Sequence, residues 1–182
     1  MSSPDAIMTK IRLWRSKKLE PIGRFLIKLK LSANGITTFS LISGLLAIYF
    51  LFTSTLFFII FALLHLLADA FDGIVARIQG STNFGLYFDH LTDRTIELLL
   101  LIKIALHLQD YYVYIVIVLF LLAQMIYLLS KLQAPILYTR TLIMIILAFN
   151  LPTIAYLTTG VASIFSLARQ LQWYVPQLMI KK

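Results

Sequence analysis

The chain has 182 residues, of which 60% are hydrophobic and 13% are charged, and its mean hydropathy is +0.88. This composition excludes an ordinary soluble domain and predicts one all-α domain that is embedded in a membrane. The formal net charge is +8, and the absence of cysteine excludes disulfides and thiolate metal sites.

The N-terminal part of the chain combines cations with apolar side chains. Eight of the 16 Lys and Arg residues lie between Lys10 and Lys30, interleaved with apolar residues that include Trp14. This pattern predicts an amphipathic helix in the cytoplasmic membrane interface, where its cations attract anionic lipid. A nucleic-acid-binding arm is the alternative, but so apolar a chain argues against a nucleic-acid partner. We therefore divide the chain into a basic juxtamembrane segment, 1–33, and a transmembrane domain, 34–182.

Six apolar segments follow, each of which predicts a membrane helix. The expected fold class is an all-α integral membrane protein with six transmembrane helices preceded by the amphipathic helix. Connections near Ser54, Gln109 and Asn150 carry no Lys or Arg, whereas the opposite connections and both chain ends do. The positive-inside rule then predicts a multi-pass cell-membrane protein with both termini in the cytoplasm. The segments cover residues 35–53, 55–78, 84–107, 111–130, 135–150 and 153–172.

Acidic residues are concentrated in one stretch of this apolar chain. A carboxylate at bilayer depth costs about 2.5–3.5 kcal/mol, so such a cluster is expected to face a wet cavity and bind a ligand. With Arg77 and Arg94 the formal charge of the stretch is −5 + 2 = −3, which predicts a bound cation. Carboxylate ligands favour Mg²⁺ or Mn²⁺, and a pair of such ions suits phosphate chemistry. The alternative is a salt-bridge network with the two arginines. Five of the eight acidic residues belong to the stretch: Asp69, Asp72, Asp89, Asp93 and Glu97.

The spacing of the four aspartates predicts how they meet. The stretch is expected to form two helical arms joined by a polar turn at 79–83. Asp69 and Asp72 are three residues apart and therefore share one helix face. Asp89 and Asp93 are four residues apart and share a face of the second arm. Two antiparallel arms then bring all four carboxylates to matching depths, about 15 Å from the turn at about 1.5 Å per residue.

Eight positions in this stretch resemble the signature of the CDP-alcohol phosphotransferases. The first part of that signature is Asp-x-x-Asp-Gly-x-x-Ala-Arg, and the second part is Gly-x-x-x-Asp-x-x-x-Asp. All eight positions match at the fixed spacing, and the six apolar segments agree with the six transmembrane helices of that family. The matching residues are Asp69, Asp72, Gly73, Ala76, Arg77, Gly85, Asp89 and Asp93.

The resemblance implies a role for each signature residue. Asp69, Asp72 and Asp89 would hold two divalent ions, either Mg²⁺ or Mn²⁺. Asp93 would complete the second metal site and act as the general base. The small residues would leave room for the nucleotide, and Arg77 would lie along its phosphates. The residues implied to bind CDP are Asp69, Asp72, Gly73, Ala76, Arg77 and Gly85.

The resemblance also implies an activity. A phosphatidyl-type group would pass from a CDP-lipid, CDP-diacylglycerol or CDP-archaeol, to a polar alcohol, and CMP would leave. Residues 34–182 would then be the catalytic domain, and a homodimer in the lipid bilayer is expected. A small membrane transporter with an acidic relay is the alternative from another class, and it would need neither the small residues nor CMP release.

Two cations outside the signature bear on the acceptor alcohol. Lys131 and Arg140 are predicted at the cytoplasmic ends of the fourth and fifth spans, where they could bind a phosphate on the acceptor. Ordinary snorkelling to the interface is the alternative. The pattern around these cations is more similar to the inositol-phosphate-using members, the phosphatidylinositol-phosphate and archaetidylinositol-phosphate synthases. A glycerol-phosphate-using or serine-using member is the alternative within the family.

Overall fold

The computed structural model describes residues 19–180, with side chains described up to residue 174. Every regular element in this part of the chain is an α-helix, which confirms the all-α prediction there. Much of the predicted amphipathic segment, residues 1–18, lies outside the described residues. The helices are α1 (19–28), α2 (Ala33–Phe50), α3 (Thr55–Gln79), α4 (Asn83–Leu108), α5 (Tyr111–Leu129), α6 (Arg140–Ala148) and α7 (Pro152–Ile180).

Among the described helices, α2, α3 and α5 are long and apolar enough to cross a membrane by length and composition. Helix α4 has 26 residues, but its first half carries the charged signature residues. Helix α6 has only nine residues, about 14 Å at 1.5 Å per residue, which is short of the roughly 30 Å of a hydrocarbon core. The predicted fifth span, 135–150, is therefore helical in part only, and the count of six spans stays a prediction.

Side-chain caps determine where α2 and α4 begin. The Ser32 hydroxyl accepts a 3.1 Å hydrogen bond from the backbone N–H of Gly35 at the start of α2. The Thr82 hydroxyl does the same for Gly85 at the start of α4, at 3.0 Å. Each cap satisfies a backbone donor that the helix itself leaves unpaired. Gly80 between α3 and α4 has φ +90°, a conformation that favours glycine, so it permits the sharp reversal there.

Helix α4 is the centre of the bundle. It contacts α2, α5, α6 and α7. Its second half contributes Ile96, Leu100, Leu101 and Ile104 to the core, all fully buried. Each fully buried aliphatic side chain contributes about 1.5–3 kcal/mol. Because this apolar half holds α4 in place, the polar first half is fixed between its neighbours.

The α2 helix approaches α3 and α4 closely at Gly44. A Cβ atom added to Gly44 would lie 2.7 Å from Ile96 Cδ1 and 3.1 Å from His65 Nδ1. One turn earlier, the Ser40 hydroxyl donates a 3.0 Å hydrogen bond to the His65 carbonyl oxygen and lies 2.9 Å from His65 Nδ1. Small residues on α2 therefore allow the close crossing that places α2 beside the acidic stretch of α3.

Candidate functional site

Three carboxylates from two helices meet at one point in the bundle. Asp69 comes from α3, and Asp89 and Asp93 come from successive turns of α4. One carboxylate oxygen of each lies within 4.8 Å of the others, and all three residues are half-buried. The predicted pairing of the two arms therefore brings these three aspartates together. Three hard oxygen ligands at this separation fit a divalent cation such as Mg²⁺ or Mn²⁺.

Asp72, the fourth aspartate of the signature, is placed differently. It lies one turn after Asp69 on α3 and is buried. The hydroxyl of Thr37 on α2 donates a 2.7 Å hydrogen bond to Asp72 Oδ2. The carboxylate is thus connected to a second helix, and it lines a cavity beside the group of three aspartates. The sequence does not predict the contact of Thr37 with Asp72, because a pairing of helix faces 35 residues apart leaves no local signal.

A cavity of about 400 Å³ opens beside these carboxylates, between the start of α2, the end of α3 and the start of α4. This volume is in the range of small-molecule sites. Five of the six residues predicted to bind CDP line it, whereas Asp69 lies among the three clustered carboxylates instead. The five are Asp72, Gly73, Ala76, Arg77 and Gly85, and further lining residues include Ser32, Asn34, Thr37, Thr82 and Asp89.

The two signature glycines differ in what surrounds them. Among the described residues, a Cβ atom on Gly73 would contact only Arg77 Nη1, at 3.9 Å, so a larger side chain there would extend into the cavity. A Cβ atom on Gly85 would lie 3.1 Å from Thr82 Oγ1 and 3.4 Å from Asn34 Oδ1. A side chain at Gly85 would therefore press against the cap of α4. Both glycines keep the cavity open, for different steric reasons.

Arg140 is buried among the aspartates, a position that the sequence did not predict. Its Nη2 atom lies 2.7 Å from Asp69 Oδ2, and its Nη1 atom donates to Asp93 Oδ1. Counting Arg140 with Arg77 and Arg94 changes the formal charge of the stretch to −5 + 3 = −2. Lys131, its predicted companion, has an exposed side chain in the turn after α5, with φ +56°. The two cations thus lie in unlike surroundings, one buried and one exposed.

Asp93 lies between two guanidinium groups. Arg140 contacts its Oδ1 atom, and Arg94 Nη2 lies 4.0 Å from its Oδ2 atom. Asp93 therefore lies in a network of buried charged groups, at the position where the family resemblance implies a general base.

Comparison with known proteins gives two matches. The family model described as CDP-alcohol phosphatidyltransferase matches residues 30–176, a range that contains all eight signature positions. An uncharacterized protein of Aquifex aeolicus (strain VF5) is 32% identical over 104 residues, which is 56% of this chain and 53% of that protein. The chain thus spans about half the length of this relative.

Proposed function

Because this chain belongs to the CDP-alcohol phosphatidyltransferase family, we propose that it transfers a phosphatidyl-type group from a CDP-linked lipid to a polar alcohol. The observation that carries the proposal is the cluster of Asp69, Asp89 and Asp93 beside a cavity of about 400 Å³. One wall of that cavity contains Gly73 and Arg77 of the signature. The cluster supplies acidic ligands and a base, and the cavity supplies room for a nucleotide.

The proposed reaction is one displacement at phosphorus. The acceptor hydroxyl oxygen bonds to the lipid-bearing phosphorus, and the bond from that phosphorus to the bridging pyrophosphate oxygen breaks. CMP leaves with the bridging oxygen, and a phosphodiester lipid forms. Asp93 takes the hydroxyl proton. Its place in the cluster with Asp69 and Asp89, beside the cavity, supports this role.

The acidic residues would also hold the divalent cations. Asp69, Asp89 and Asp93 fit a first ion by the separation of their oxygens, and Asp72 would extend the ligand set toward the cavity. Two Mg²⁺ or Mn²⁺ ions bound there would neutralise the charge of the pyrophosphate. Thr37 orients Asp72 by its hydrogen bond, and Arg77 provides a cation along the cavity wall.

For the acceptor we propose a phosphorylated alcohol, with inositol phosphate first. Arg140 supports this choice, because it places a guanidinium group next to the proposed base, where it could bind a phosphate with Lys131 nearby in sequence. Glycerol phosphate and serine are the alternatives. The donor is CDP-diacylglycerol or CDP-archaeol. We further propose a homodimer in the cell membrane with both termini in the cytoplasm, as the distribution of Lys and Arg predicts.

The test is CMP release by the purified full-length protein. The protein would be supplied with CDP-diacylglycerol, Mg²⁺ or Mn²⁺, and in turn inositol phosphate, glycerol phosphate, serine, inositol or no acceptor. Release with one acceptor, abolished in Asp93→Asn, supports the proposal and identifies the acceptor. A CDP-archaeol series would follow if no acceptor gave release. Failure with both donors would overturn the transferase proposal, and cation flux in vesicles would then favour a transporter.

A further inference from the structure

Three consecutive residues contact three polar residues of α4. The Tyr138 ring lies against the Arg94 guanidinium group, whose Cζ atom is 4.8 Å from the ring centroid. The Thr139 hydroxyl donates a hydrogen bond to Glu97 Oε1. Arg140 then donates to Asp93. Each residue of this short run has its own partner on α4, so the run is held in one register along that helix.

The segment that leads to this run has no helical structure of its own. Residues 130–139 connect α5 to α6 without regular secondary structure. The Ser130 hydroxyl fixes the beginning of the segment by accepting hydrogen bonds from the backbone of Gln133 and Ala134, at 3.2 and 2.9 Å. The Leu137 N–H donates to the Ser166 hydroxyl of α7 at 3.0 Å. Beyond that point, Tyr138, Thr139 and Arg140 each contact α4, and Arg140 also contacts Asp69 of α3.

Glu97 is the anchor of these contacts. Its side chain is fully buried. It accepts hydrogen bonds from two donors, Arg94 Nη1 at 2.5 Å and the Thr139 hydroxyl. A buried carboxylate is costly without such partners, so losing either one has a large local effect. Glu97 lies outside the eight-residue signature and outside the group of three clustered aspartates.

Arg140 retains hydrogen-bonding capacity after its contacts with the aspartates. A guanidinium group carries five N–H donors. Its two terminal nitrogens contact Asp69 and Asp93, one aspartate each, and each terminal nitrogen carries two N–H groups. A bound phosphate could therefore pair with the N–H groups that do not face the aspartates, and the acceptor hydroxyl would then lie near the proposed base.

We propose that Glu97, together with Arg94 and Thr139, is a positioning group that holds Arg140 in the place where it binds the phosphate of the acceptor. This inference rests on the proposed function, since the acceptor is the second substrate of that reaction. Glu97 and Thr139 act through Arg140 and do not touch the substrate. Their loss therefore weakens binding of the acceptor more than binding of the CDP-lipid.

Thr139→Val is the decisive variant, because it removes the hydroxyl and keeps the shape of the side chain. We expect the acceptor KM to rise about tenfold, the scale of a lost hydrogen bond to a charged group, with a clearly smaller change in the KM for the CDP-lipid. Thr139→Ser keeps a hydroxyl that can donate the hydrogen bond to Glu97, so its acceptor KM is expected to equal that of the wild type. The matched control is Thr159→Val, since Thr159 is also buried but donates to Ala155 of its own helix, at 3.2 Å.

A second measurement tests this inference without the transfer reaction, so that the two proposals can fail independently. Binding of inositol phosphate and of glycerol phosphate to the purified protein would be measured by calorimetry, without donor. The inference predicts weaker binding in Thr139→Val and in Glu97→Gln than in the wild type and in Thr159→Val. Equal binding in all four proteins, or equal increases in both KM values, would overturn it. Phosphate binding with this pattern but no CMP release would instead reject the proposed function alone.

Discussion

Thr37 on α2 donates a 2.7 Å hydrogen bond to Asp72 on α3 and so ties the start of α2 to a carboxylate that lines the cavity. We expect Thr37→Val to lower kcat/KM for the CDP-lipid about tenfold, because a hydrogen bond to a charged group is worth about 1.5–3 kcal/mol. Thr38→Val is the matched control, since the exposed Thr38 donates to Asn34 of its own helix. Equal losses in the two variants, measured by CMP release, would contradict a role for the Thr37 bond.

Arg140 occupies oxygens that a divalent cation would also use. Its guanidinium group contacts Asp69 and Asp93, two of the three clustered carboxylates. Removing this charge in Arg140→Gln should tighten Mn²⁺ binding about tenfold in the absence of substrates, since like charges a few ångströms apart repel by about 1–4 kcal/mol. Calorimetry or electron paramagnetic resonance of Mn²⁺ measures this directly. Arg169→Gln, which removes an exposed cation from α7, is the control.

Weaker Mn²⁺ binding in Arg140→Gln would contradict this prediction. Arg140 would then support the carboxylate geometry that the ion needs, and the view that guanidinium and metal compete for the same oxygens would be wrong. Unchanged binding would also contradict the prediction, because it would place the ion away from Asp69 and Asp93.

Replacing Gly73 or Gly44 by a larger residue is expected to have opposite effects: the first should weaken substrate binding, and the second should lower stability. Gly73→Leu places its side chain in the cavity, where the added Cβ meets only Arg77 Nη1 at 3.9 Å. We expect a donor KM at least about tenfold higher with little change in melting temperature, since about 1.4 kcal/mol of lost binding is tenfold. Gly44→Ala instead overpacks the core, because its Cβ lies 2.7 Å from Ile96 Cδ1. It should lower stability by about 1–3 kcal/mol and leave the donor KM unchanged.

These two variants are measured by the same pair of assays, CMP release against donor concentration and thermal unfolding in detergent. A Gly73→Leu protein with normal donor KM would remove the cavity from the proposed binding site. A Gly44→Ala protein with normal stability would indicate that Ile96 and His65 can move apart at little cost.

Asp110 gives a prediction for pH. The Tyr156 hydroxyl donates to its Oδ2 atom at 2.7 Å, and the Tyr112 N–H donates to its Oδ1 atom at 3.0 Å. These bonds, the Tyr156 bond first, hold the pKa of Asp110 below its usual value of 3.8. A lowered pKa in the fold stabilises the protein above the usual pKa, and the contribution is lost as pH falls through the lowered pKa.

The measurement compares the melting temperature of the wild type with that of Tyr156→Phe across pH. The wild type should melt at the higher temperature at neutral pH, and the difference should shrink below about pH 4, where unfolded Asp110 is protonated. A difference that stays constant down to pH 3 would mean that Tyr156 acts through packing and not through the charge of Asp110.

Periodicity in the sequence predicted the acidic site because its main contacts are local. Helices expected at 55–78 and 84–107 are found at Thr55–Gln79 and Asn83–Leu108, with a short turn between them. The spacing predicts that all four aspartates meet across that turn, and three of them form one cluster. The family resemblance, and not periodicity, assigned Gly73, Ala76, Arg77 and Gly85 to the nucleotide site, and all four line the cavity.

The contacts that complete the site join residues distant in sequence and could not be predicted in this way. Thr139 meets Glu97 across 42 residues, and Arg140 meets Asp93 across 47. Thr139 and Arg140 reach α4 because residues 130–139 have no regular secondary structure, whereas the apolar pattern predicts a helix from residue 135. Pro135 cannot donate a backbone hydrogen bond and disfavours helix in the residue before it. An apolar run such as Pro135–Leu137 does not distinguish a helix from irregular chain packed within the protein.

The aspartates of the site and Arg140 are far apart in sequence, so the ribosome synthesises them at different times. Arg140 follows Asp93 by 47 residues, which at about 5–20 residues per second takes a ribosome roughly 2–10 s. During that interval the growing chain contains the paired aspartates of α3 and α4 but not the guanidinium group that contacts them in the finished protein. In the finished protein, part of the positive charge beside this hairpin comes from outside its own two helices, through Arg140.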